Sequence, residues 1–379
     1  MKKMCSRKKM LLLIGLFFLS YLTIYPKYNF SRFADPLNPP ATDNTKLFQV
    51  LSRKEPLPSG GRFLVAFIQN SIAEIITMGK FDRKTYTKNN LYFPLFRKPI
   101  YHWLNITFGK YYDGSRNSVA KVSTFIMENF FMFFAFLLLY YSMCLLNLSP
   151  IKRLIGIMYL SLFTIYHTYY TARVTDISGI LGWGIVLYLY VFLKEIFIQD
   201  YTLSFKKSIF LMGLMLLGGT VGVLLRESTI VPILSISLIS LIEKRKLYQD
   251  KYHLFLMIGG LVGIWLFYSW PLLEGNNLSK ALEIGSTYRI TNIQGIVSIA
   301  ERFLFPFLPH FILLFFGKIP FSSLKPYSSI LLLSIFSVTG NFLIHFIFGA
   351  GLISECLGHF APNAIMGAIT FSIIIPEKF

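Results

Sequence analysis

The chain has 379 residues, 54% hydrophobic and only 15% charged, with 38 Phe and 22 Tyr. A mean hydropathy of +0.56 excludes an ordinary soluble domain. Lys and Arg (37) outnumber Asp and Glu (18). In so apolar a chain that excess belongs to membrane-flanking loops and anionic headgroups, so no nucleic-acid partner is inferred.

A basic start (Lys2, Lys3, Arg7, Lys8, Lys9) precedes an apolar stretch from Met10 to Tyr25. The run Tyr21 to Pro26 offers no small-x-small cleavage site, so 1–25 reads as a cytoplasmic N-terminus and uncleaved signal-anchor helix. Residues 26–123 follow as one long, mostly hydrophilic extracytoplasmic loop. Inside it, Gly61 to Met78 is apolar enough to suggest a span, but Gln69, Asn70, Ser71 and Glu74 at its centre are costly in lipid. It reads instead as an amphipathic helix lying in the interface. Leu91 to Tyr112, with Trp103 and several tyrosines, reads the same way.

From 124 to 379 the chain reads as a polytopic transmembrane bundle. Further spans are expected at 124–146, 154–172, 177–194, 208–225, 229–243, 254–273, 298–317, 328–348 and 361–376. With the first, this predicts an all-α integral membrane fold of about ten transmembrane helices. The distribution of charge checks the parity. Loops expected inside carry Lys152 and Arg153; Lys194, Lys206 and Lys207; Lys244, Arg245, Lys246 and Lys251; Lys318 and Lys325; and Lys378. Those expected outside are poorer in base and richer in acid. Both termini then fall in the cytoplasm.

Ionisable groups at the outer membrane edge are the candidates for chemistry, because burial there is expensive. Asp35 and Asp43 lie in the long loop. Asp43 suits either a helix N-cap or a general base that takes a proton from a hydroxyl nucleophile. Lys98 and His102, in Phe96-Arg-Lys-Pro-Ile-Tyr-His-Trp-Leu-Asn105, suit a phosphate or sugar, or equally interfacial anchoring. Arg173 and Asp176 sit at one outer corner and fit an ion pair. Arg226 and Glu227 follow the glycine-rich run 218–225 at another. Adjacent residues do not face each other on a helix, so Arg226 and Glu227 are expected to have different partners. Arg289 lies in a further outer loop. The three cysteines, Cys5, Cys144 and Cys356, form neither a disulfide framework nor a metal spacing.

Several stretches, taken in order over roughly 40–230, carry a family pattern: Asp43-Asn-Thr-Lys-Leu-Phe-Gln-Val, Arg97-Lys-Pro-Ile-Tyr-His-Trp-Leu104, Tyr111-Tyr-Asp-Gly114, Ala120-Lys-Val-Ser123, Arg173 to Asp176, and Gly218 to Arg226. They resemble the GT-C superfamily of polytopic glycosyltransferases, closest to the protein O-mannosyltransferase and aminoarabinose-transferase type. Asn44 stands where that pattern has a second acid, and Ile100 replaces its second proline.

The resemblance implies transfer of a sugar from a polyprenyl-phosphate donor to an envelope glycan, lipid or protein by inverting displacement. Lys98 and one or more of Arg173, Arg226 and Arg289 would neutralise the donor phosphate. Asp43, or in reserve Asp35, would be the base. No residue pattern requires a cofactor, although some relatives in the superfamily use a divalent metal. Phe-, Lys- and Asn-rich usage points to an AT-rich bacterial genome and a cytoplasmic-membrane location. The rival expectations are a polysaccharide polymerase or ligase, a membrane acyltransferase, and a lipid-linked-sugar transporter or flippase.

Overall fold

The computed structural model describes residues 6–29, 63–77, 79, 116–170, 175–198, 204–242, 247–272, 307–316, 319–347 and 361–376. Every regular element among them is helical. They are α1 (Ser6–Asn29), α2 (Phe63–Thr77), α3 (Arg116–Leu145), α4 (Pro150–Tyr170), α5 (Thr175–Ile198) and α6 (Phe205–Leu225). After a 3-10 turn, Glu227–Thr229, come α7 (Ile230–Ile242) and α8 (Leu247–Leu272). The last are α9 (Leu308–Phe316), the single turn α10 (Phe321–Leu324), a second 3-10 turn (Lys325–Tyr327), α11 (Ser328–Ile347) and α12 (Asn363–Ile374).

Six of these stretches are long and apolar enough to cross a membrane: Arg7–Pro26, Val122–Leu145, Ile177–Ile196, Phe205–Leu225, Lys251–Ser269 and Ser322–Leu343. The chain therefore has the composition and helix lengths of a membrane protein. Three further apolar helices are shorter: Phe63–Thr77, Glu227–Ile242 and Asn363–Ile374. The expected span 361–376 contains a helix of only 12 residues, about 18 Å long at ~1.5 Å per residue, with almost every side chain buried.

The helices share two ends. Phe17 meets Phe130 and Phe133, and Tyr21 meets Phe125, so α1 and α3 are antiparallel. Leu138 lies against Gly184, registering α3 and α5 side by side in the same direction. Gly182 abuts Gly222 and Gly218 abuts Leu189, so α6 returns against α5. Lys194 near the end of α5 reaches Ser329 at the start of α11, and Lys152 donates to the Ile373 carbonyl near the end of α12 at 3.4 Å. One end thus collects Arg7, Lys8, Lys9, Lys152, Arg153, Lys194, Lys206, Lys207, Lys251 and Lys325. The opposite end holds Arg226.

Close packing in the middle comes from small residues. A Cβ on Gly219 would lie 2.4 Å from the Leu256 carbonyl oxygen, and one on Gly259 2.2 Å from that of Leu216. The backbones of α6 and α8 are therefore in contact, the arrangement expected where lipid supplies no hydrophobic drive between helices. Thr220 Oγ1 adds a hydrogen bond to the Gly259 carbonyl at 3.0 Å. α2 packs mainly on α3. It buries Val65, Ala66, Gln69, Ala73 and Ile76 on one face, and Gln69 Nε2 donates to Thr124 Oγ1 at 2.6 Å.

Candidate functional site: a buried arginine at a helix break

α6 ends and α7 begins around one extended residue, Arg226 (φ −157°, ψ 125°). Its backbone N–H donates to the Gly222 carbonyl at 3.1 Å, and its carbonyl accepts from Thr229 N–H at 2.9 Å. Ser178 Oγ donates to the Leu225 carbonyl at 2.8 Å, satisfying one of the acceptors left open at the α6 C-terminus. The break is possible where it is because α5 offers no side chain there. A Cβ on Gly179 would sit 3.1 Å from Arg226 Cγ and 2.7 Å from Pro362 Cγ, and one on Gly182 2.6 Å from Thr229 Oγ1. Gly179 thus seats both the Arg226 stem and the proline that leads into α12.

Arg226 has no solvent exposure. Its Nε lies 3.8 Å from Glu227 Oε1, and Glu227 is 24% exposed. The expectation of separate partners rests on helix geometry, and each residue does keep further interactions beside this contact. That rule applies along a helix, whereas Arg226 is the extended residue between two helical segments, so its side chain and that of Glu227 converge. The Tyr268 phenol of α8 lies within electrostatic range of the same carboxylate.

Height along the bundle follows from residue counts. From Lys207 to Arg226 is 226 − 207 = 19 residues of helix, about 28 Å, close to one hydrocarbon thickness of ~30 Å. Arg226 therefore sits at the interface level opposite the lysine-rich end. Glu128 on α3 is 138 − 128 = 10 residues, about 15 Å, from Leu138, which faces Gly184, and so lies toward the same end of the bundle as Arg226. It is fully buried, beside the buried Asn129, whose Nδ2 donates to the Phe125 carbonyl at 3.0 Å. One turn further out, Thr124 meets Gln69 of α2.

Of the residues selected from sequence, Arg226 and Glu227 are brought together. Asp176 lies in the first turn of α5, at the same end of the bundle, with its side chain outside the described residues. Asp35, Asp43, Lys98, His102, Arg173 and Arg289 all lie outside the described residues. Sequence reasoning passed over Glu128. The signal was present, since an acid within the first turns of an apolar span marks a functional candidate by itself.

Among the described residues no group of three or more His, Cys, Asp or Glu side chains could hold a metal ion. Comparison with protein-family models, with curated proteins and with solved structures finds no match for this chain.

Proposed function

We propose that the chain is a membrane glycosyltransferase of the GT-C kind, moving a sugar from a polyprenyl-phosphate donor to an envelope glycan, lipid or protein. One observation carries the reading: a guanidinium with no solvent exposure is built into a helix break one membrane thickness from the lysine-rich end. A cation kept there despite the expense suits an anionic group that develops charge as a bond breaks. The N-termini of α5, α7 and α12 lie near this level, and their dipoles add positive potential. Glu227 lies beside the Arg226 side chain and joins it at the donor.

In this reading the lysine-rich end is cytoplasmic by the positive-inside rule, and the bundle has ten spans with both termini inside. The long loop 26–123 lies over the Arg226 level, where it supplies Asp43 or Asp35 as base. Lys98, His102, Arg173, Asp176 and Arg289 join Arg226 around the donor. The membrane is the bacterial cytoplasmic membrane. A transporter would carry charge at mid-span on broken helices. Among the described side chains, Asp, Glu, Lys and Arg stay near the two ends, which favours transfer at one face.

The test is mass spectrometry of envelope glycans and glycolipids in wild type, a deletion strain, and the deletion complemented with Asp43→Ala at matched protein level. Loss of one defined sugar in both mutants is the expected result. Accumulation of unpolymerised repeat units would replace this reading with a polymerase. Unchanged glycans in both mutants would end the transferase reading and leave transport to be tested.

A further inference from the structure

α5, α7, α11 and α12 pack as a ring: α5 touches α7 and α12, and α11 touches the same two. Near the Arg226 end, each side of the ring contributes a buried polar group. Trp183 is one helical turn from Gly179 on α5, on the stripe that faces Pro362 and Arg226. Thr229, at the entry to α7, lies against Gly182. Ser337 shares a face of α11 with Asn341, whose Nδ2 donates to Asn363 Oδ1 on α12 at 2.9 Å. Gly340 abuts Val231 of α7, closing the ring at this height.

Trp183, Thr229 and Ser337 have no solvent exposure, and Asn363 has 2%. Among the described residues, Trp183 Nε1, Thr229 Oγ1, Ser337 Oγ and Asn363 Nδ2 have no hydrogen-bond partner. Unmet polar atoms in so apolar a surrounding are strongly disfavoured, and four carried by the helices of one ring call for partners beyond these helices. The indole and amide nitrogens donate only, while the two hydroxyls both donate and accept. None of the four carries charge. That set, with two groups that both donate and accept and no charge to balance an ion, suits a neutral hydroxyl oxygen better than a phosphate or a cation.

We infer that the ring encloses a subsite for neutral hydroxyl groups, either water or the hydroxyls of a bound polyol, entered from the Arg226 end. The inference does not depend on glycosyl transfer. It is tested on full-length protein with Cys5, Cys144 and Cys356 changed to Ser, carrying Ser337→Cys or, separately, Thr229→Cys. Ala135→Cys, fully buried on α3, is the control. Each is treated with Ag⁺, which is water-sized, and with a methanethiosulfonate bearing a glucose unit.

Both ring cysteines are expected to react with Ag⁺ about tenfold or more faster than the control, which reacts only through rare openings of the core. Reaction with Ag⁺ alone assigns water. Reaction with the glucose reagent as well assigns a polyol. Ring cysteines no faster than Ala135→Cys toward either probe, in protein with an unchanged gel-filtration profile, would overturn the subsite. Thr229→Cys decides the matter should Ser337→Cys fail to fold.

Discussion

The two ends of the bundle treat positive charge in opposite ways. At one, Lys206, Lys207, Lys251 and Lys325 are exposed, and two cations there fold back onto neutral groups. Lys251 donates to Ser208 Oγ at 3.1 Å, and Arg153 Nη1 lies 2.8 Å from Cys144 Sγ. At the other, Arg226 is wholly enclosed, and glycines on α5 and a proline before α12 are shaped around its stem. Exposed lysines at a helix end interact with whatever solvent or headgroup is there. An enclosed arginine has had its surroundings built for it, and that difference separates a boundary feature from a site.

The comparison breaks most sharply at Glu227. Glu227→Ala leaves a buried guanidinium without its neighbouring carboxylate and is expected to lower stability by about 3 kcal/mol, the low end for a broken buried pair because Glu227 is itself partly exposed. Thermal unfolding of purified protein in detergent measures it. The double change Arg226→Met with Glu227→Gln, which removes the charge together with its partner, should recover much of the loss. A loss below about 1 kcal/mol for Glu227→Ala would make the pair equivalent to an exposed one.

Much of this layout was legible in the chain. Apolar length located the long helices α1, α3, α5, α6, α8 and α11, because each carries enough hydrophobic residues to declare itself without its neighbours. The end expected for the span 208–225 coincides with the end of α6 at Leu225. The burial of Arg226 was not legible, because it depends on Gly179 and Pro362, which reach it only through the packing of α5 and α12. The approach of Arg226 to Glu227 was not legible for a related reason: a single extended residue between two helices leaves no periodicity to detect. The shortness of α12 was not legible either, since composition marks an apolar stretch but not where its helix begins and ends.

Two substitutions sharpen the contrast between enclosed and exposed glycines. Gly219→Ala drives a Cβ to 2.4 Å from one backbone atom of α8 and 2.9 Å from another, neither of which can rotate away. The α6–α8 contact must open, at about 1–3 kcal/mol. Gly213→Ala on the same helix meets nothing within 4 Å and should gain up to about 1 kcal/mol from helix propensity. Parallel melting curves check the pair, and a destabilised Gly213→Ala alongside an unaffected Gly219→Ala would refute the packing described. Ser178→Ala removes the hydroxyl that meets the Leu225 carbonyl and is expected to cost about 1 kcal/mol.

The smallest effect belongs to the lysine-rich end. Lys206→Gln with Lys207→Gln removes two exposed charges from the start of α6, whose side chains pair with no acid among the described residues. The melting temperature should stay unchanged within error. The same charges flank a membrane helix, so their role is read in insertion rather than stability. Reporter fusions placed after residue 203 and after residue 227 measure it. The double variant should shift a fraction of chains toward the inverted orientation of α6, while Glu227→Gln, at the other end, should not. Equal shifts from both would mean that the two ends do not differ in how they hold charge, and the distinction between boundary and site would fail.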